Sequence, residues 1–152
     1  MQDDVTDAVV GASRALVGIA VRSLAATTDD VTMVQFRALV LLTYQGKERV
    51  ADLADNLGVN SSTVTRLIAR LVGKGLVDRL PDPSDRRATL LAITDDGRAV
   101  VASVRAQRRA EITKVLRRMS AVTDPVVLRW LEDFTLAAGE SDELSWSLGW
   151  TG

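Results

Sequence analysis

Apolar residues recur every three or four positions over most of the chain, a spacing typical of helices with one face against a core. Short polar stretches divide this pattern into segments. The segments predict six helices, over about residues 5–26, 33–44, 51–57, 61–74, 95–119 and 125–140. After Gly75 the spacing changes to that of strands, with aliphatic and β-branched residues at 76–80 and 88–93. The pattern predicts a mainly α-helical chain with one small β-hairpin.

Residues with capping preferences mark the ends of these helices. Thr32 and Gln35 have the spacing of a capping box, and Val31 and Phe36 stand where a hydrophobic staple forms. Further signals are the N-caps Asn60, Thr94 and Asp124, the last followed by Pro125, and the terminating glycines Gly46, Gly58 and Gly75. The helix boundaries are therefore predicted from local sequence alone.

The segment between the two predicted strands is polar and contains two prolines. Its sequence is Pro81-Asp82-Pro83-Ser84-Asp85-Arg86-Arg87. Proline cannot donate a hydrogen bond to a neighbouring strand, so we expect both strands to stop before this segment. The predicted hairpin has a long charged loop with Arg86 and Arg87 at its tip.

Two short predicted helices, 51–57 and 61–74, have the spacing of a helix-turn-helix. Ala54 is small enough for the helices to cross closely, Gly58 permits the positive φ of a tight turn, and Val64 fills the angle between them. None of these residues is informative alone, and an ordinary αα-hairpin is the alternative interpretation. The three together favour a helix-turn-helix.

The second of these helices has one apolar and one polar face. At about 100° per residue, Val64, Leu67, Ile68 and Leu71 share the apolar face. The polar side holds Ser62, Thr65, Arg66, Ala69 and Arg70, with Thr63 at its edge and Ser61 in the first turn, and the helix contains no acidic residue. Hydroxyls can donate to base edges or phosphates, and arginine can bind guanine through two hydrogen bonds. Because a solvated face ordinarily mixes both signs of charge, this face favours DNA recognition.

The hairpin offers a second contact. Arg86 and Arg87 suit a minor groove, whose negative potential favours arginine. Asp85 is expected to position an arginine, either a neighbour in the hairpin or one from the helix at 61–74, which we call the recognition helix. A plain charged loop is the alternative, but a helix-turn-helix followed directly by an arginine-bearing hairpin indicates a winged helix. A winged-helix module that binds a protein, without direct operator binding, is the competing function.

Composition excludes several chemistries in this chain of 152 residues. With no Cys and no His, disulfides, thiolate or histidine metal sites and Ser-His-Asp catalysis are ruled out. Adjacent carboxylates such as Asp29-Asp30 and Asp95-Asp96 are explained by turns and helix starts, so we expect neither an enzyme nor a cofactor. No run reaches the roughly 18 consecutive apolar residues of a membrane span, and the N-terminus is acidic, so we expect a cytoplasmic protein without a membrane partner.

The net charge of −1 hides an uneven distribution. Residues 60–109 carry a net charge of +5, whereas 1–59 and 110–152 each carry −3. Chance clustering on a solvated face is the favoured explanation when the charge distribution is taken alone. Since the basic segment contains the recognition helix and the hairpin, it is typical of a local phosphate-binding surface.

These residues resemble the MarR family of bacterial transcriptional regulators. The matching stretches are 34–39, 50–59, 61–67, 74–77, 82–87 and 91–97, and the run at 82–87 is very near the family's wing motif. The resemblance implies a winged helix-turn-helix DNA-binding lobe at 32–97 and a helical dimerisation lobe made of 1–31 and 98–152. It implies a homodimer on double-stranded DNA, with a pseudo-palindromic operator and recognition helices roughly 34–36 Å apart. It also implies that Arg87 enters the minor groove, while Arg86 contacts phosphate or Asp85.

The absence of Cys and His limits the mechanisms by which such a regulator could sense a signal. Branches of the family that sense peroxide use cysteine, and zinc-sensing branches use histidine, so neither mechanism is open to this chain. The resemblance then implies a repressor released by a small organic ligand, often phenolic or anionic, bound between the lobes. We expect Leu16, Phe36 and Tyr44 to line that cleft. Core packing is the alternative for each residue, and a constitutive regulator is the alternative for the chain.

Apolar residues near the end of the chain need a covering surface. Val127, Trp130, Leu131 and Phe134 follow helical spacing, and either a dimer interface or an intrachain core explains them. The segment 141–152 contains Trp146 and Trp150 and is expected to pack on the dimer lobe as a last helical turn. Closing the ligand cleft or docking a partner is the alternative role of this segment.

Overall fold

The computed structural model describes residues 1–119 and 124–140, and the segment with Trp146 and Trp150 lies outside them. Over this part of the chain the helices are α1 (Gln2–Ala25), α2 (Met33–Tyr44), α3 (Val50–Leu57), α4 (Ser61–Gly73), α5 (Asp95–Leu116) and α6 (Pro125–Ala137). The strands β1 (Glu48–Arg49), β2 (Val77–Asp82) and β3 (Asp85–Ile93) form one antiparallel sheet in the order β1-β3-β2. The prediction of a mainly helical chain with a small hairpin is confirmed.

Residues 1–113 and 114–152 form two compact units. The core of the first unit draws buried side chains from its helices and from its sheet. The largest fully buried ones include Leu39, Leu42, Leu53, Val64, Ile68, Leu71, Val77, Leu91 and Val104. The apolar face predicted for residues 61–74 is therefore the buried face of α4, and it fixes the orientation of the opposite, polar face.

The predicted helix caps are confirmed. The Thr32 N–H donates to Gln35 Oε1 at 3.0 Å, and the Gln35 N–H donates to Thr32 Oγ1 at 3.3 Å. The Asp124 side chain accepts from the Val126 N–H at 2.9 Å, with Pro125 in the first turn of α6. Thr94 Oγ1 accepts from the Gly97 N–H at 3.1 Å at the start of α5. These bonds satisfy backbone donors that a helix leaves unpaired at its N-terminus.

The first strand was not predicted. Glu48 and Arg49 lie in the short polar stretch between the predicted helices 33–44 and 51–57. Glu48 pairs with Leu91 and Arg49 with Leu90, so this stretch forms the third strand of the sheet. Two residues are too few for an alternating pattern, and their pairing partner lies about 40 residues further along the chain. The consequence is that Arg49, at the N-cap of α3, lies beside the hairpin.

The predicted length of the hairpin loop is wrong. Pro81 stays in the ladder opposite Thr89, with a register irregularity only between Pro81 and Asp82. Because β2 is an edge strand, Pro81 can lack an N–H without leaving a neighbouring carbonyl unpaired. The strands continue to Asp82 and from Asp85, so Arg86 and Arg87 lie within β3 and not at the tip of a loop.

Most of the apolar surface of α1 is exposed. Ile19 and Leu24 are buried, whereas Val5, Val10, Leu16, Val17 and Val21 are exposed. Among the described helices, α1 has the length and composition that could cross a membrane, with 24 residues and a mean hydropathy of 1.5 over its most apolar 18. Arg14 and Arg22 interrupt its apolar sequence, so α1 contains no uninterrupted apolar run of 18 residues. A helix that a protein partner covers can have the same length and composition.

The second unit is described over residues 114–119 and 124–140. Its helix α6 has no buried residue, and the rings of Trp130 and Phe134 stack with centroids 5.6 Å apart. Val126, Leu128, Leu131 and Leu136 are exposed as well. In the part of the chain that the structure describes, the large apolar side chains of α6 are therefore exposed.

Candidate nucleic-acid interface

The turn between α3 and α4 has the geometry that the sequence predicts. Gly58 follows α3 with φ 67° and ψ 31°, in the left-handed region that glycine adopts without strain. The Val59 N–H donates to the Ala54 carbonyl at 3.0 Å and closes the turn. Ala54 and Val64 are both buried where the helices cross. The helix-turn-helix interpretation of these three positions is consistent with each contact.

Asn60 caps α4 and orders its first turn. Asn60 Oδ1 accepts from the Thr63 N–H at 2.8 Å and from the Ser62 hydroxyl at 2.7 Å. One turn further, the Thr65 hydroxyl donates to the Ser61 carbonyl at 2.9 Å. The polar side chains at the start of α4 are therefore held by bonds within the helix.

The exposed face of α4 carries most of the predicted contacts. Ser61, Ser62, Thr65, Arg66, Ala69 and Arg70 are exposed, and Thr63 is half-buried at the edge of this face. Arg66 and Arg70 are four residues apart and thus lie one above the other on the helix. The structure brings these residues onto one surface that carries positive charge and no carboxylate of its own helix.

The wing, residues 77–93, presents Arg86 and Arg87 on β3, where both are exposed. Successive side chains point to opposite faces of a strand, so the two arginines aim in different directions. Asp85 Oδ1 accepts from the Arg87 backbone N–H at 3.0 Å. Asp85 thus holds the backbone of its hairpin neighbour Arg87, because a short Asp side chain bonds readily to the N–H two residues on. That Asp85 positions this arginine for DNA stays a prediction.

A different aspartate, missed by the sequence analysis, binds an arginine. Asp82 Oδ2 accepts from Arg49 Nε at 2.9 Å and from Arg49 Nη2, and Oδ1 accepts from the Ser84 N–H at 2.8 Å and hydroxyl at 2.7 Å. The bonds from Ser84, followed by the bond from Arg49, lower the pKa of Asp82 to about 2. The turn at Asp82-Pro83-Ser84 was recognisable from its Asx-turn spacing. Its partner was not, because Arg49 is 33 residues away. We call this set of bonds the Arg49–Asp82 brace.

Loss of the brace is expected to weaken duplex binding. Asp82→Asn keeps an acceptor for Ser84 but removes the charge that holds Arg49, so the wing tip is less firmly oriented. We expect affinity for a duplex to fall about three- to tenfold, equally at every pH from 5 to 8, because Asp82 stays ionised throughout that range. Binding titrations by fluorescence anisotropy measure this.

Asp78→Asn is the matched control for that experiment. Asp78 is exposed on the same strand, and its replacement removes the same charge without touching the brace. Removing a negative charge near DNA strengthens electrostatic binding, so the control should bind slightly more tightly. If both variants bind more tightly than the wild type, the brace does not orient the wing.

Glu48 is a buried carboxylate beneath this surface. Its Oε1 accepts from Asn56 Nδ2 at 2.9 Å, while Oε2 is buried without a hydrogen-bond partner among the described residues. Burial raises the pKa of Glu48, the bond from Asn56 lowers it, and the charge of Asp52 raises it. The charged form is therefore costly in the folded chain.

Glu48→Gln is expected to stabilise the fold. The raised pKa means that the folded state binds the Glu48 proton more tightly than the unfolded state, so wild-type stability falls as pH rises through the folded pKa. The variant should gain about 1 kcal/mol at pH 7, and the gain should vanish below the unfolded pKa, near pH 4. Urea unfolding at pH 4 and 7 measures it, with Asp55→Asn as control, because Asp55 is exposed on α3 and does not contribute to the pKa shift of Glu48. An equal gain at both pH values would contradict this explanation.

The three candidate ligand residues have different environments. Phe36 is buried, with the Arg108 guanidinium carbon 5.8 Å from its ring centroid, a cation–π contact. Tyr44 is half-buried on the same helix, about 12 Å further along the axis. Leu16 is 52% exposed on α1. Phe36 is thus a core residue of the described chain, whereas Leu16 is a surface residue.

Comparison with known proteins shows which protein family has these features. A model described as MarR family matches residues 31–89, which include the helix-turn-helix and most of the wing. The chain is 30% identical over 110 residues to the HTH-type transcriptional regulator MT0903.1 of Mycobacterium tuberculosis, covering 72% of this chain and 76% of that protein. The chain belongs to the MarR family. The predicted resemblance is therefore confirmed.

Other MarR-type relatives match over different lengths. The multiple antibiotic resistance protein MarR of Salmonella typhimurium is 37% identical over 71 residues, covering 47% of this chain and 49% of that protein. The alignment thus spans about half the length of that MarR relative. The crystal structure of RV1404 from Mycobacterium tuberculosis is 43% identical, with a TM-score of 0.85, covering 93% of this chain and 97% of that one. The winged-helix fold seen here is the fold of the MarR family.

Proposed function

We propose that this MarR-family chain is a dimeric, sequence-specific DNA-binding transcriptional regulator, a repressor released by a small organic ligand. The observation that carries the proposal is the exposed face of α4, where hydroxyls and two arginines occur without a carboxylate. Duplex DNA offers a dense row of phosphates and base edges that carry both donors and acceptors, which this face complements. The names of MarR and of the HTH-type relatives support regulation of transcription.

In this proposal the contacts divide between the two grooves. The recognition helix enters the major groove, and the wing arginine Arg87 enters the adjacent minor groove. Arg86, on the other face of β3, contacts phosphate. Asp85 acts indirectly by holding the Arg87 backbone. The DNA-contacting set is Ser61, Ser62, Thr63, Thr65, Arg66, Arg70, Arg86 and Arg87.

The exposed apolar helices support a homodimer. α1 and α6 leave large aliphatic and aromatic side chains uncovered, more than a soluble monomer ordinarily exposes. A second copy of the chain would cover them, with residues 1–31 and 98–152 as the dimer lobe and 32–97 as the DNA-binding lobe. The apolar composition of α1 is then that of an interface helix. No membrane partner or cofactor is included in the proposal, and the expected compartment is the cytoplasm.

The proposed small organic ligand is supported by side chains on α1, α2 and α5. Phe36 and Tyr44 on α2 offer aromatic surface, Leu16 on α1 offers aliphatic surface, and Arg108 on α5 offers positive charge beside Phe36. An anionic or phenolic molecule matches that chemistry. Binding of such a molecule between the lobes would alter the spacing of the two recognition helices, and thereby release the operator.

Selection of bound sequences from a library of random duplexes tests the proposed function. The expected result is enrichment of a pseudo-palindrome whose half-sites lie about one helical turn apart, bound by two copies of the chain as measured by light scattering. Monocyclic phenols and aromatic carboxylates are then screened for release of that duplex. A chain that enriches no sequence, but captures a protein partner, would contradict the proposal and favour the interaction module.

A further inference from the structure

On the exposed face of α4, the hydroxyl hydrogens of Ser62 and Thr65 are already used in hydrogen bonds to neighbouring residues of the chain. Asn60 Oδ1 lies 2.8 Å from the Thr63 backbone N–H, which can only donate, so the Asn60 atom at this position is the oxygen. The Ser62 hydroxyl lies 2.7 Å from the same oxygen. Since an amide oxygen can only accept, the Ser62 hydroxyl donates its hydrogen to Asn60.

The Thr65 hydroxyl is committed in the same way. Thr65 Oγ1 lies 2.9 Å from the carbonyl oxygen of Ser61, one turn earlier on the helix. A carbonyl oxygen has no hydrogen, so Thr65 must be the donor. Both Ser62 and Thr65 are exposed residues, and the hydroxyl hydrogen of each is used in a bond at the start of the helix.

These bonds leave each hydroxyl with accepting capacity only. A hydroxyl has one hydrogen and two lone pairs, and accepting a further bond uses a lone pair without disturbing the existing bond. Turning the hydrogen towards DNA would break a bond within the helix to make a new one. Accepting therefore adds a hydrogen bond, whereas donating merely exchanges one for another.

We propose that Ser62 and Thr65 recognise the exocyclic amine of adenine or cytosine in the major groove. These amines are the base-edge donors there, whereas guanine N7 and O6 and thymine O4 are acceptors. Arg66 and Arg70 can only donate, so they serve the acceptors and phosphates. The recognition helix thus presents hydrogen-bond acceptors, Ser62 and Thr65, in its first turns, and the donor side chains of the two arginines further along. The inference rests on the proposed function and specifies which base atoms the same surface recognises.

Thr65→Val provides the test, because valine keeps the shape and one methyl group but lacks the oxygen. Sequence selection is run on the wild type, Ser62→Ala, Thr65→Val and the hydroxyl-retaining Thr65→Ser. We expect Ser62→Ala and Thr65→Val each to lose the preference at one base pair and Thr65→Ser to keep it. Circular dichroism confirms that the exposed substitutions leave the helix intact.

Base analogues at that base pair then identify the recognised atom. Adenine is replaced by 2-aminopurine, which lacks the major-groove amine, with 2,6-diaminopurine as a control that retains it; cytosine is replaced by 2-pyrimidinone. Loss of the amine should weaken wild-type binding about two- to tenfold, and leave Thr65→Val unaffected. A matching loss caused by 7-deazapurines, which lack N7, and not by removal of the amine, would overturn the inference.

The two proposals fail in distinguishable ways. If the wild type enriches a sequence but Ser62→Ala and Thr65→Val both enrich the same one, Ser62 and Thr65 are not the readers proposed here, and DNA binding stands. If the wild type enriches no sequence at all, the proposed function fails and this inference fails with it.

Discussion

Arg87→Ala lowers the affinity for the selected duplex about 10- to 100-fold and leaves the midpoint of thermal unfolding unchanged. Arg87 is exposed on β3, and only its backbone N–H is bonded to Asp85, so truncation removes no packing from the fold. In the complex the guanidinium is expected in a narrow minor groove, where the potential is most negative. Loss of this charge should also reduce the slope of log affinity against log salt by about one. Anisotropy titrations at several salt concentrations measure both quantities.

Arg79→Ala is the matched control for that prediction. Arg79 is an exposed arginine on β2, paired across the hairpin with Leu91 and distant along the strand from the wing tip. Both substitutions remove one positive charge from the same hairpin, so they differ only in position. We expect the control to lose about twofold or less. Equal losses in the two variants would mean that the charge of the hairpin, and not a placed arginine, governs binding.

Gly97→Ala destabilises the fold by about 3 kcal/mol, which lowers the unfolding midpoint by roughly 10 °C in a chain of this size. A Cβ at Gly97 would lie 2.3 Å from the Leu76 carbonyl oxygen and 2.7 Å from Ile93 Cγ1. The Leu76 carbonyl cannot withdraw freely, because it accepts from the Thr94 N–H at 3.1 Å. Thr94 also donates to the Gly75 carbonyl at 2.7 Å, so the clash falls where the hairpin, α4 and α5 meet.

Gly73→Ala is the control for Gly97→Ala. Gly73 is the last residue of α4, and nothing lies within 4 Å of a Cβ built there. Because alanine favours helix, this substitution should leave stability unchanged or raise it by up to about 1 kcal/mol. Thermal unfolding of the two variants by calorimetry compares them. A similar stability for both would show that the junction at Gly97 accommodates a methyl group.

Features set by neighbouring residues were predictable from the sequence. The Thr32–Gln35 capping box, the Asn60 cap and the turn at Gly58 each depend on fewer than about five consecutive residues, so local preference decides them. The two faces of α4 follow from helix periodicity and the burial of Val64 and Ile68. The polar face of α4, which forms part of the candidate interface, could therefore be predicted from the sequence.

Features set by distant pairing were not predictable. β1 exists because Glu48 and Arg49 find β3, and the hairpin is long because Pro81 falls on an edge strand. Neither fact is contained in the local pattern, since a proline signals a break unless the strand order is known. The Arg49–Asp82 brace depends on both features, so the local sequence does not indicate that Asp82 binds the Arg49 side chain.

The central claim is that the exposed face of α4 and the wing bind duplex DNA together. It is tested most directly by the affinity of the double variant Arg66→Ala/Arg87→Ala for the duplex selected by the wild type. The two residues lie on separate elements, so their losses should combine to at least about 100-fold, with the midpoint of unfolding preserved. A double variant that is folded and binds that duplex as tightly as the wild type would contradict the account.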